Sequence, residues 1–386
     1  MAKLLFTGDL MCEALRIIEG NTQDGYDFDY IFQNEKTYLS NCDYLVGNLE
    51  SPFAGEEAGY ADVNVKYVFN APVEYAKAVQ AAGFHLVSTA NNHCMDRGID
   101  GLYKTIGNLD DIKLSHIGTY KNLEDRNEVF IKNVNGVNVG FISYTYGINT
   151  FVHKTSLKDG ERFAVNMFQS EETMEGAVDL LRDDDVPGQV YGLYDIPNDI
   201  YDMKIKPLLT QMTNDIYRTK ACGAEFIVFL LHSGGQYNPW PDSLTLRIAD
   251  VIRNAGADVI IGNHPHVLHP AKIVNGCFIA YSLGNFIFTP NPEKRGYDIR
   301  AEYSILLGIE IKKNRNVKYG HITFSVHKTV SENGKSFVMP VFDLYSNATN
   351  DTERKQIEID NAFCVNKFLN KPLNEPVEMC DFYVYQ

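Results

Sequence analysis

The chain has no excess of positive charge, no long apolar run and no paired cysteine motif, and each absence narrows what it can be. Lys and Arg number 35 against 50 Asp and Glu, a formal net charge of −15 over 386 residues. Nucleic acid and anionic membrane surfaces are bound through a basic face, so neither is expected as the main partner. An anionic substrate stays open, because a few local cations or a metal would suffice. No stretch approaches the ~20 consecutive apolar residues of a transmembrane helix. Met1-Ala2-Lys3-Leu4 enters a strand at once and reaches Asp9 before a hydrophobic signal region could fit. The seven cysteines (Cys12, Cys42, Cys94, Cys222, Cys277, Cys364 and Cys380) are odd in number, scattered and never spaced C-x-x-C. They read as reduced thiols, and the expectation is a soluble, cytoplasmic protein.

What is present is apolar and well ordered. Hydrophobic residues make up 45% and charged residues 22%, enough for a sizeable core. The length suits a large α/β domain with an appendage. Five short apolar runs read as buried strands: Lys3-Leu-Leu-Phe6, Tyr44-Leu-Val46, Leu86-Val-Ser-Thr89, Phe226-Ile-Val-Phe-Leu-Leu231 and Asp258-Val-Ile-Ile261. Pro72 to Ala82, closed by Gly83, has helix punctuation at both ends. Asp100 to Leu109, about Lys204 to Ala221, and Asp242 to Ala255 read as further helices. Val134-Asn-Gly-Val137 is a hairpin signal leading into the strand Asn138–Tyr144. Between Gly147 and about Asp202 neither periodicity stands out, and this insertion is expected to lie over the active edge as a lid or to remain a surface excursion. After about Arg300 the pattern turns to meandering strands and a charged helical tail, Asp351–Leu369. The expected organisation is a core of residues 1–300, with its insertion at about 147–202, and a β-rich C-terminal extension over 301–386.

Each of the five runs is followed directly by a polar cluster: Gly8-Asp9-Leu10-Met11, Gly47-Asn48-Leu49-Glu50, Asn91-Asn92-His93, His232, and Gly262-Asn263-His264-Pro265-His266. If the strands lie in one sheet pointing the same way, these clusters land along one edge, where open α/β sheets bind ligands. Asp9, Glu50, Asn92, His232, His264 and His266 are the donors that a dinuclear phosphoesterase site needs: carboxylates, an amide oxygen and imidazoles. The i, i+2 histidines around Pro265 suit an extended loop, with alternate side chains serving different metals or a metal and a substrate.

The order and spelling of these clusters closely resemble the CapA family, poly-γ-glutamate capsule synthesis proteins related to calcineurin-like metallophosphoesterases. The matching text includes Gly8-Asp9-Leu10-Met11, Gly47-Asn48-Leu49-Glu50-Ser51-Pro52, Phe69-Asn-Ala-Pro72, Ala90-Asn-Asn-His93 with Asp96, His232-Ser-Gly-Gly235, Gly262-Asn-His-Pro-His-Val267 and Tyr281-Ser-Leu-Gly-Asn-Phe286. It covers about residues 3–290. The resemblance implies a four-layer α/β/β/α metallophosphatase-like sandwich, with the insertion and the β-rich extension added to it. It also implies a role with poly-γ-glutamate or a related peptide as substrate, by hydrolysis of a phosphoester or a γ-glutamyl or peptide bond. The wider superfamily has Asp-x-His at the first strand, a bridging aspartate after the second and an acid after the Asn-His pair. Here those positions hold Met11, Asn48 and Cys94. The first metal position is therefore weakened, and one ion of manganese, iron or zinc, or none, is as open as two. Within this reading His93 is the acid/base, with Asp96 as its orienter and Asp9 as a further catalytic group. Asn48, Ser282 and Asn285 are candidate donors to a substrate oxygen. Cys94 reads as a small buried hydrophobe, and His85, His116, His153, His269, His321 and His327 as structural or surface residues. Two readings of other classes stay beside hydrolysis: metal-free epimerisation at a peptide α-carbon, and a polymer-binding module without catalysis.

Overall fold

In the computed structural model, which describes residues 1–65, 68–150, 155–168, 205–288, 300–313 and 317–385, the apolar runs pair into two large sheets. Along the first lie β16 (Lys335–Pro340), β15 (Val317–Glu332), β14 (Tyr303–Lys313), β1 (Ala2–Leu10), β4 (Tyr44–Leu49), β5 (Leu86–Ser88) and β6 (Ser115–Ile117). The short β13 (Asn285–Ile287) pairs with β1, and β17 (Tyr383–Val384) with β15. Along the second lie β11 (Ala271–Val274), β12 (Cys277–Ala280), β10 (Val259–Asn263), β9 (Phe226–His232), β8 (Val137–Thr145) and β7 (Phe130–Val134). A two-residue ladder, β2 (Asn21–Thr22) with β3 (Gly25–Tyr26), stands apart.

Side-chain alternation explains the layering. Phe226, Val228 and Leu230 of β9 enter the core between the sheets, while Ile227, Phe229 and Leu231 face the other way. Likewise Ala2, Leu4 and Phe6 of β1 point inward and Leu5 and Leu10 outward. A strand buried on both faces needs apolar residues at every position, which is why these runs do not alternate in sequence. Burying the six residues Phe226 to Leu231 is worth on the order of 10 kcal/mol of gross transfer free energy, most of it offset by chain entropy.

Helices cover both outer faces. Residues of α1 (Ala14–Gly20), α2 (Lys36–Leu39), α3 (Val73–Ala81) and α4 (Gly98–Asp111) pack on the first sheet. A short α5 (Leu123–Asn127) follows β6, and α6 (Lys206–Ala221) and α7 (Ser243–Ala255) cover the second sheet. The order helix, sheet, sheet, helix is the four-layer sandwich that the resemblance implies. Helix α7 starts where the Asp242 carboxylate accepts the Thr245 N–H at 2.6 Å and stops at Gly256, whose φ of 100° is left-handed.

The segment read as a C-terminal extension joins the first sheet, since β14 runs antiparallel to β1 with Ala2 opposite Ile311 and Phe6 opposite Leu307. It ends in α8 (Val341–Asn347) and the helical tail α9 (Asp351–Phe368). The lid expected over 147–202 falls largely outside the described residues, together with Asp183-Asp184-Asp185 and Pro187-Gly188. From that region Asn166 is described, and it staples the sheets together. Its backbone N–H donates to Gly118 after β6, and its carbonyl accepts from Thr145 of β8.

A second strap, residues 281–285, crosses between the sheets where the polar clusters emerge. Leu283 donates to the Gly262 carbonyl at 3.2 Å and the Gly284 carbonyl accepts from Asp9 N–H at 2.9 Å. A Cβ on Gly8 would lie 2.0 Å from the Gly284 oxygen, and one on Gly262 would lie 2.0 Å from the Tyr281 oxygen. Glycine is required at both places by this close approach.

Candidate metal centre

The clusters meet at the ends of strands from two sheets, not along one edge of a single sheet. In the first sheet the register aligns Asn285, Asp9 and Asn48 on β13, β1 and β4. Glu50 follows β4, and Asn92 and His93 follow β5. In the second sheet His232 of β9 is opposite Asn263 of β10, and His264 and His266 follow directly. Parallel pairing puts all these carboxyl ends on the same side, and the sandwich brings the two rows face to face.

Asn48 occupies the middle. Its Nδ2 lies 2.8 Å from Asp9 Oδ1, 3.2 Å from Glu50 Oε2 and 3.3 Å from His232 Nδ1. That amide nitrogen faces His232 Nδ1, and His232 Nε2 lies 2.8 Å from Asn92 Oδ1. His266 Nδ1 reaches Asn285 Oδ1 at 2.9 Å and Asp9 Oδ2 at 3.2 Å, leaving Nε2 at 3.7 Å from Glu50 Oε1. Two groups of donors could hold an ion, Glu50 with His232 and His264, and Asp9 and Glu50 with His266. Within each group the ligand atoms lie within 4.8 Å of one another, and Glu50 belongs to both.

The electrostatics fit a cation. Burial, then the charge of Asp9, raises the Glu50 carboxyl well above its ordinary value. Burial and the neighbouring imidazoles hold His232 and His264 well below theirs, so both are neutral donors at pH 7. Among the described residues, buried Glu50 Oε1, Asn48 Oδ1 and His264 Nδ1 have no hydrogen-bond partner. Unpartnered polar atoms at such depth are costly, and a borderline divalent cation is what carboxylate, amide oxygen and imidazole satisfy together.

The loop holding the two histidines is not extended. His264 has φ 101° and His266 φ 58°, both left-handed. Side chains with a Cβ rarely adopt this backbone, and such strain persists where the surroundings over-determine it. Here the His264 N–H is held toward Asp9 Oδ2 at 3.4 Å, and the His266 carbonyl accepts from Asn285 Nδ2 at 3.0 Å.

His93 stands beside the donors, clamped rather than mobile. Its Nδ1 is 2.7 Å from Asp96 Oδ2, and the same carboxylate oxygen accepts the Phe69 N–H at 2.7 Å. The Phe69 ring stacks on the imidazole at 4.0 Å. Asn149 Nδ2 also approaches His93 Nδ1, at 3.3 Å. The shorter carboxylate contact decides the tautomer, because a carboxylate only accepts. The proton is on Nδ1 and Nε2 is the exchanging atom.

Ser282 and Asn285, expected as substrate donors, are spent inside the protein. Both are fully buried. Ser282 Oγ accepts the Gly284 N–H, and Asn285 gives its amide protons to His266 O and Ala301 O. Asn285 orients His266 instead of facing a ligand. Asn48 is likewise committed to Asp9, Glu50 and His232. Cys94 packs in an apolar cluster with Met95 and Leu102, and burial pushes its thiol up. His85, His116, His269 and His327 have local partners in Leu45, Asp110, Asn238 and Glu35. His153 lies outside the described residues.

Sequence reasoning passed over the rim. Tyr146 lies 4.7 Å from His264 between ring centres, Asn149 accepts from Asn92, and Tyr237 lies 5.7 Å from His266. Tyr146 and Asn149 come just after a strand end, the signal that marked the other clusters. They were missed because no acid or imidazole accompanies them.

The donor residues of the candidate centre fall within a single family match. Residues 3–290 match the family described as "Bacterial capsule synthesis protein PGA_cap". The chain belongs to that family. Within it, the chain is 30% identical over 264 residues to "Capsule biosynthesis protein CapA" of Bacillus anthracis, covering 68% of this chain and 54% of that one. It is 26% identical over 324 residues to "PGA biosynthesis protein CapA" of Bacillus subtilis, covering 84% of this chain and 71% of that one. The chain therefore spans about half the length of the anthracis relative. Among solved structures, it resembles a Thermus thermophilus sulfate thiohydrolase SoxB with a TM-score of 0.41 and 11% identity, over 92% of this chain and 59% of that one. Among the described residues no helix is long and apolar enough to cross a membrane.

Proposed function

We propose that this capsule-synthesis family member is a metal-dependent hydrolase acting on a γ-glutamyl, peptide or phosphoester bond in the metabolism of a polyglutamate-like polymer. The observation that carries this reading is the pair of donor groups sharing Glu50, with unpartnered oxygens on Glu50 and Asn48 and an unpartnered nitrogen on His264. A divalent cation bound there would supply Lewis acidity toward a carbonyl or phosphoryl oxygen and make water acidic enough to attack near neutral pH. The chain's own residues do the rest. His93 Nε2 takes a proton from the attacking water and then gives it to the departing amine or alkoxide, while Asp96 holds Nδ1–H and stabilises the imidazolium present between the two transfers. Phe69 keeps the imidazole plane fixed by stacking. Asn285 orients His266 through Nδ1 and leaves Nε2 facing Glu50, and Asn92 lies at hydrogen-bond distance from His232 Nε2. Cytoplasmic action is part of the same reading, and seven separate thiols are in keeping with it.

α-Carbon epimerisation needs two opposed proton-transfer groups, and with Cys94 held in an apolar cluster it loses one of its candidates. The test is elemental analysis of the purified chain beside a His232→Ala, His264→Ala double variant. About one or two equivalents of manganese, iron or zinc, lost in the variant, are expected. Wild-type protein that stays metal-free when all three are offered would sink the proposal. Phosphodiester and γ-glutamyl amide substrates assayed side by side then name the bond.

A further inference from the structure

The single tryptophan of the chain, Trp240, stands on the loop that leaves His232. That loop leans on the histidine turn: the Tyr237 N–H donates to Pro265 O at 2.7 Å, and Asn238 O accepts from His269 Nε2 at 2.7 Å. Trp240 follows Tyr237 by three residues, which keeps their Cα atoms within about 11 Å. Pro239 and Pro241 flank it and fix φ on both sides. The indole is nevertheless 47% exposed. One exposed apolar residue needs no explanation by itself. An indole braced by two prolines beside the candidate centre, over a buried cation, is a pre-organised contact surface.

The cation is Lys367 of α9. Its Nζ lies 3.2 Å from the centre of the indole ring, and the residue is 4% exposed. No hydrogen bond or ion pair of Nζ is found among the described residues. Burial alone brings its ammonium down to about 8. An aromatic face compensates a buried ammonium only in part, so an anion drawn to its side would be favourable.

We propose that Trp240 and Lys367 form a subsite next to the candidate metal centre for a chain that carries carboxylates, the indole packing on its apolar backbone atoms and the ammonium drawing a carboxylate to the ring edge. This rests on the hydrolase reading above and adds the chemistry of the substrate beyond the reacting bond. Because the chain has one tryptophan, its emission reports on the surroundings of Trp240. The full chain, stripped with a chelator so that the metal centre plays no part, is titrated with a short γ-linked glutamate oligomer and with the same oligomer amidated at its carboxylates. A saturable emission change with the acidic oligomer and none with the amidated one is expected. Affinity measured by calorimetry should fall about tenfold in Lys367→Met, which keeps the aliphatic stem, and by a similar factor in the exposed-site variant Trp240→Ala. No binding of the acidic oligomer, or binding unchanged in either folded variant, overturns the subsite. Binding that behaves as expected in a protein that takes up no metal would overturn the hydrolase reading and leave the subsite standing.

Discussion

The two sheet edges that meet at the candidate centre carry different chemistry on different backbones. The first supplies Asp9 and Asn48 from the parallel strands β1 and β4, which bring the two opposite each other across a register shift between Phe6 and Asp9, and Glu50 directly after β4. The second supplies His232 from a strand end, but His264 and His266 from a left-handed turn. One edge holds the negative charge and the other the neutral nitrogen donors, and each donor group draws on both. The two edges also respond oppositely to burial, which raises the carboxyl of Glu50 and lowers the imidazoles of His232 and His264. A cation between them would relieve both, and the contrast is what favours the metal-centre reading.

The sharpest way to break that comparison is Glu50→Gln, because this residue belongs to both donor groups. Metal content should fall to background and hydrolysis by about a thousandfold or more, some 4 kcal/mol of barrier. The metal-free protein should melt no lower than wild type, since glutamine keeps the shape of a carboxyl whose ionisation burial disfavours. A Glu50→Gln protein that retains its metal would mean that the two edges do not share a ligand.

His93→Gln tests whether proton transfer is separate from the donor edges. A fall in kcat of about a hundredfold to ten-thousandfold is expected with metal content unchanged. Loss of metal in this variant would instead make His93 a ligand.

Asn285→Ala should weaken metal binding by about tenfold to a hundredfold through disorientation of His266. A competition titration with a chromophoric chelator reads this directly. Unchanged affinity would remove Asn285 from the centre and return it to turn chemistry.

The smallest effect is a pair of pH slopes in the metal-free protein, followed by thermal melting in chelator. Glu50 is raised above its ordinary value of 4.5, so its contribution is fully present below that pH and is lost as pH rises toward the folded value. His232 and His264 are lowered from 6.5, so their contribution is present above that pH and is lost as pH falls. Glu50→Gln should remove the first slope and leave the second. Wild-type and variant curves that run parallel across both ranges would count against buried titration at this edge.

Much of this was legible in the sequence because the signals were local. A strand buried on both faces must be apolar throughout, so Phe226–Leu231 could be read without its partners. Helix α7 was read over Asp242 to Ala255, and in the structure the Asp242 side chain caps its start while Gly256 ends it at a left-handed φ. The hairpin of β7 and β8 was marked by Asn135 and Gly136, both at positive φ. Other features were not legible. Ser282 and Asn285 are polar residues in a turn, and nothing local says whether such groups face a ligand or a neighbouring carbonyl. His264-Pro265-His266 suggested an extended spacing, but contacts with Asp9 and Asn285 hold both histidines left-handed.

The sequence by itself determined which candidate donors the chain offers and that each lies in or just after the end of a strand, because residue type and hydrophobic periodicity are properties of short segments. Only the tertiary structure decided that those strands belong to two sheets, that Asn285 turns inward, and that Tyr146, Asn149 and Phe69 frame the centre. Those outcomes depend on close approach between segments distant in the chain, such as Gly8 with Gly284 and Gly262 with Tyr281, where backbone packing leaves no room for a side chain.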